Sequence, residues 1–214
     1  MNELTTLSTI ALVHFIGLMS PGPDVALVVQ NAARHGRSTG IAIAAGLSVG
    51  ILLHSLFSLT GVSVLVHQHP TLFALVQVAG ASYLLYLGIG ALRSLRGTSS
   101  NVFEKPQQLI KNKRRAFIRG FITNILNPKA VVFFISLMSS LVPADMSTTG
   151  KAIALVILGG LSFFWFSFLA WALSTQRLQR KMHQASRYID GLCGLVFCSV
   201  GVGIWYSVLS VTFT

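Results

Sequence analysis

The sequence predicts an all-α, polytopic membrane protein with six transmembrane helices, built as two inverted three-helix repeats whose first and fourth helices are broken. Three observations carry this. First, the 214 residues are 53% hydrophobic and only 10% charged, with mean hydropathy +0.71. A soluble domain has roughly 25% charged residues, so this chain lacks the groups to cover a watery surface. Second, apolar runs recur at about 4–33, 39–65, 71–92, 117–142, 152–173 and 189–211. Each reaches the roughly 20 residues needed to cross about 30 Å of hydrocarbon. Third, proline and a charged residue interrupt the first and fourth runs at matching places.

The first run begins after Met-Asn-Glu and has no basic n-region and no A-x-A site. It therefore reads as a span rather than a signal peptide. Folding back at Pro-Gly-Pro is the alternative; it would leave five crossings. Basic residues set the orientation. All of the 16 Lys and Arg except Lys129 and Lys151 fall at the end of the first run or in the loops on that side. The positive-inside rule makes that side cytoplasmic. The cluster KNKRR (111–115) abuts a membrane helix, so anionic lipid is its expected partner and nucleic acid is not.

The long polar stretch 93–116 divides the chain into a first repeat (1–92), a basic cytoplasmic linker and a second repeat (117–214). GPDVALVV (22–29) aligns with NPKAVVFF (127–134). Pro23 then matches Pro128, and Asp24 matches Lys129. Asp24 lies ten residues from Arg34, and Lys129 lies ten from Arg119. At 1.5 Å per residue both sit roughly 15 Å from the cytoplasmic boundary, about mid-membrane. Inverted repeats with breaks at matching positions are the build of many secondary transporters, with the site at the break.

Each break has a local cause. Proline lacks an amide hydrogen and clashes with the carbonyl four residues back. Pro21 and Pro23 free the carbonyls of Gly17 and Met19, and Pro128 frees that of Asn124. Such groups must face protein or a wet cavity. Ser20 or Gly22 is the expected cap of one half-helix and Asn127 of the other. The half-helix amides suit a carboxylate. Asp24 and the freed carbonyls suit an ammonium; Lys129 and Asn124 supply donors. Together they fit a zwitterionic small molecule. The structural alternative is that Asp24 and Lys129 pair only with each other. A lone charge at mid-membrane costs about 2.5–3.5 kcal/mol, which argues for use.

Elsewhere the signals are weaker. Ala42, Gly46, Gly50, His54 and Ser58 recur every four residues, a stripe for close packing. His54 on that stripe is a candidate proton carrier beside Asp24, or a hydrogen-bonded packing histidine; His14 has the same status at lower weight. Gln77, Gly80 and Tyr83 share a face, making Gln77 and Tyr83 candidate cavity residues. Gly191, Gly194, Cys198 and Gly201 form another packing stripe. Cys193 and Cys198 lie roughly 140° apart on one helix and cannot pair with each other. FFWFSF (163–168) is expected to face lipid. No nucleotide loop, CxxC pair, zinc spacing or serine elbow is present, so no cofactor, no resident metal and no enzymatic reaction are expected. The glycine stripes permit a homodimer without requiring one.

SPGPD (20–24), the Arg-x-Gly-x3-Gly segment from Arg34 to Gly40, Gly80-x2-Tyr83 with Gly88, and Gly120-x6-Asn127-Pro128-Lys129 resemble the LysE/RhtB family of bacterial amino-acid exporters over nearly the whole chain. The aspartate after the second proline resembles the homoserine/threonine-type branch. The resemblance implies amino-acid efflux with proton antiport, and places Asp24, Asn127 and Lys129 at the family's motif positions. Lys129 would repel a cationic substrate, which favours neutral amino acids. Three rivals stand beside this reading. A divalent metal transporter of related plan would want more than one carboxylate or thiolate at the midplane. A membrane electron carrier of the DsbD/CcdA type would want cysteine at the breaks. A non-transporting scaffold would tolerate loss of Asp24 and Lys129.

Overall fold

Among the described residues, proline and small polar caps divide the chain into eight helices. The computed structural model describes residues 3–20, 22–95, 112–143, 145–173 and 176–212. The helices are α1 (Glu3–Met19), α2 (Pro23–His35), α3 (Arg37–Gln68), α4 (Pro70–Ser94), α5 (Lys113–Ile125), α6 (Pro128–Leu141), α7 (Thr148–Ala172) and α8 (Gln176–Thr212). No strand occurs among the described residues. Four helices contain stretches long and apolar enough to cross a membrane: Arg37–Gly61, Thr71–Arg93, Thr148–Ala172 and Tyr188–Leu209. The pairs α1/α2 and α5/α6 are bent by 59° and 60° at short breaks, and counting each pair as one span gives six.

The caps are chemically legible. Asn112 Oδ1 accepts from the amides of Arg114 and Arg115 at the start of α5. Ser147 Oγ accepts from Gly150 N at 2.9 Å at the start of α7. Each satisfies amides that a helix start leaves open. Pro70 opens α4 and Pro128 opens α6, where a missing amide costs nothing. Gly36 turns the chain between α2 and α3 at φ 85°, a conformation that a side chain resists.

The bent pair α1/α2 lies alongside α7 at both of its ends. At one end, the Glu3 carboxylate accepts from Ser147 N (2.8 Å) and Ser147 Oγ (3.2 Å), at the start of α7. At the other end, the Arg37 guanidinium lies 5.5 Å from the centre of the Trp171 ring, at the end of α7. The bent pair α1/α2 thus runs the length of a straight spanning helix.

The two halves interlock. The most extensive helix pairings, α4 with α8, α3 with α5 and α3 with α7, each join one half to the other. The small-residue stripes lie at these joints. A Cβ on Gly46 would collide with the backbone of Phe117 and Phe121, and one on Gly120 with the carbonyl of Ile43. Gly88 and Gly194 bring α4 against α8 in the same way. Backbones approaching this closely gain dispersion contacts where lipid offers no hydrophobic drive.

Three boundaries differ from those read in the sequence. The polar linker ends early, because its last residues, Lys113–Ala116, already form the first turn of α5 under the Asn112 cap; residues 96–111 lie outside the described residues. The basic stretch before the last span is also helical. α8 runs 37 residues, about 55 Å at 1.5 Å per residue, so it extends well beyond the hydrocarbon. FFWFSF does not simply face lipid: Phe164 is 67% exposed, but Phe166 is 2% exposed and points into the core. A helix of 3.6 residues per turn cannot present every member of a six-residue run to one side.

Candidate functional site

The two breaks meet at one cavity of about 70 Å³. That is several times the roughly 10–15 Å³ a cavity needs to hold one water. Asp24, Ser20, Asn124, Asn127, Lys129 and Ile51 contribute to its lining, with Gly22 and Pro23 at the mouth of α2. His14, Phe133, Phe134, Phe166 and Phe197 line the same cavity. Pro21 lies outside the described residues.

Asp24 and Lys129 share the cavity without forming an ion pair within 4 Å. Asp24 Oδ2 accepts from Asn124 Nδ2 at 2.8 Å, and Asp24 Oδ1 is buried without a partner among the described residues. The Lys129 ammonium instead donates to Ser20 Oγ at 2.7 Å and lies 6.0 Å from the centre of the Phe197 ring. Each charge is therefore held by a neutral neighbour and still faces the cavity. Asp190 and Cys193 of α8 are within electrostatic reach of Lys129. Asp190 was not singled out in the sequence, although it lies at the start of the last apolar run (189–211).

The breaks differ in how their backbone is satisfied. At α6, Asn127 Oδ1 accepts from Lys129 N at 3.1 Å, so the expected cap forms. The carbonyl freed by Pro128, that of Asn124, accepts from Asn127 N at 3.0 Å and from His54 Nε2 at 3.1 Å. His54 also stacks on Phe134, with 6.2 Å between ring centres. Its visible work is to repair the break. At α2 the cap position is Gly22, which has no side chain to cap with, and Ser20 is engaged by Lys129 instead. Trp165 Nε1 donates to Leu18 O at 3.0 Å and steadies the end of α1.

Not every predicted residue arrives. Gln77 is not brought to the cavity: its amide donates to Ser139 O at 2.8 Å and ties α4 to α6. Tyr83 packs beside Tyr86, 6.0 Å between ring centres, and Tyr86 is exposed on the outer face. Sharing a helical face with Gly80 put Gln77 at the helix joint instead. Sequence reasoning gave little weight to His14, which the structure buries in the cavity wall at 1% exposure. The signal was a histidine deep in an apolar run, one helix turn and a half before the break.

A helical bundle with interlocked halves, two mid-span breaks and a charged cavity between them defines a membrane translocator. The chain belongs to the LysE type translocator family, whose model matches residues 15–208. It is 30% identical over 196 residues to a threonine efflux protein of Escherichia coli (strain K12), covering 91% of this chain and 94% of that one. It is 28% identical over 196 residues to a threonine efflux protein of Salmonella typhi, with the same coverage. A membrane protein of Haemophilus influenzae is 30% identical over 200 residues, covering 92% of this chain and 94% of its own. No solved structure matches the chain.

Proposed function

We propose that this protein exports small neutral amino acids across the bacterial inner membrane in exchange for protons. The observation that carries the reading is a carboxylate and an ammonium in one cavity, each bonded to a neutral neighbour rather than to the other. A zwitterion supplies the missing complement to both. Its ammonium is received by the unpartnered Oδ1 of Asp24. Its carboxylate is received by Lys129 and by the uncapped amides that open α2, where helix geometry favours an anion. The threonine efflux relatives and the family match support amino-acid cargo and outward transport.

The cycle follows from these contacts. Substrate enters from the basic, cytoplasmic side and joins the two breaks. The halves then move against each other and open the site outward. A proton returning to Asp24 cancels the charge that holds the ammonium, which releases substrate and resets the site. The test is efflux from proteoliposomes preloaded with labelled amino acids, with and without an inward proton gradient. Selective loss of small neutral amino acids, faster with the gradient, supports the reading. Equal retention of every amino acid under both conditions refutes it.

A further inference from the structure

We infer that His14 is the residue that selects the side chain of the substrate, and that it selects a hydroxyl. This rests on the amino-acid reading above and adds to it the chemistry of the side-chain end of the site.

The hydrogen bonds around the ring favour one tautomer. Ser162 Oγ lies 2.6 Å from Leu158 O, to which it donates, and 2.9 Å from His14 Nε2. With the serine hydrogen on Leu158 O, the tautomer assigned to His14 carries its hydrogen on Nε2 and leaves Nδ1 a bare acceptor. That Nδ1 atom is buried and has no partner among the described residues. The residue is 1% exposed and lines the cavity. Around it the wall is apolar: the ring lies 5.5 Å from Phe134 and 6.4 Å from Phe133, centre to centre.

An orphaned acceptor in an apolar wall favours a ligand that brings one donor to it. The ammonium end is already matched by Asp24, and the carboxylate end has no donor to offer. Among the side-chain donors of small neutral amino acids, a hydroxyl fits best: a thiol donates weakly, and an amide would bring further polar atoms that the apolar wall leaves unpaired. A site built to bond a hydroxyl also rejects the analogue that lacks one, because its acceptor then stays unpaired. Threonine and valine are nearly equal in shape and differ in that one group.

The experiment is competition between labelled L-threonine and L-valine in proteoliposomes, read as the ratio of kcat/KM. The wild-type protein should favour threonine by about 10- to 100-fold, the usual range for one buried hydrogen bond. His14→Phe should bring the ratio close to one. His14→Gln keeps an amide to donate to Ser162 and a carbonyl to accept from substrate, and should recover most of the preference. Wild-type protein that carries both amino acids equally overturns the inference while leaving the exporter reading standing. So does a threonine preference that survives in His14→Phe, or a His14→Gln protein that is folded and shows none. Wild-type protein that moves neither amino acid, nor any other, overturns the exporter reading and this inference together.

Discussion

Replacing Lys129 by Met separates a transport site from a structural clamp. If Asp24 and Lys129 were a buried ion pair, removing one partner would cost about 3–5 kcal/mol by stranding the other. For a chain of this size that is a fall in Tm on the order of 10 °C. The geometry says otherwise. Lys129 bonds Ser20, and Asp24 bonds Asn124. Losing the ammonium forfeits one charged hydrogen bond, about 1.5–3 kcal/mol. It also removes a lysine whose presence at mid-membrane costs about 2.5–3.5 kcal/mol. The two terms cancel to within about 1 kcal/mol, so Tm in detergent should move by only a few degrees. Threonine efflux should fall at least tenfold, through a raised KM for the carboxylate end. The assay is a double-mutant cycle with Asp24→Asn, scored on both Tm and efflux. A Tm drop near 10 °C in Lys129→Met that Asp24→Asn restores would refute the reasoning and favour the clamp.

Three further outcomes follow from the same geometry. Asp24→Asn should retain binding contacts from Asn124 but lose acceleration by an inward proton gradient, with threonine–threonine exchange still measurable. Asn127→Ala removes the cap on α6 and should lower stability by about 1 kcal/mol, read as a Tm shift of about 2–4 °C. Gly46→Ala places a methyl against the backbone of Phe117 and should lower the yield of monodisperse protein, since overpacking costs about 1–3 kcal/mol or more. Gly160→Ala has open space around it and should behave as wild type in the same chromatogram.

Much of the plan could be read from the chain because lipid permits few solutions. Apolar runs of fixed length and prolines beside single charges gave the spans and both breaks. Asp24, Asn124, Asn127 and Lys129 were reachable for the same reason: polar groups at mid-membrane have few places to go, and the structure brings all four to one cavity. What could not be read was rotation about each helix axis. Gln77 and Tyr83 shared a face with Gly80, but Gly80 and Gln77 meet Ser136 and Ser139 of α6, and Tyr83 packs beside Tyr86. Phe166 was hidden in an aromatic run with no periodicity to orient it. Helix ends were also blurred where basic residues continue a helix into the headgroup region, as in α8.

The two breaks look alike in sequence and bend alike in space, yet they divide the labour. The α6 break is closed on itself: Asn127 caps the helix, and His54 with Asn127 N repays the carbonyl freed by Pro128. Its freed backbone carbonyl is thus satisfied within the protein, and the atom left over there is Asn124 Oδ1, buried without a partner among the described residues. The α2 break is open, because glycine holds the cap position and serine has been drawn off by Lys129. Lysine from the closed break thus stands at the mouth of the open one, and Asn124 beside the closed break holds the aspartate of the open one. Each ligand-facing charge is held by a side chain of the other half, Asp24 by Asn124 and Lys129 by Ser20. A motion between halves must then change the hold on Asp24 and Lys129 together. A perfectly symmetric pair of breaks would lack this coupling, and the departure from symmetry, Gly22 against Asn127 and Asp24 against Lys129, is where the repeat acquires a direction.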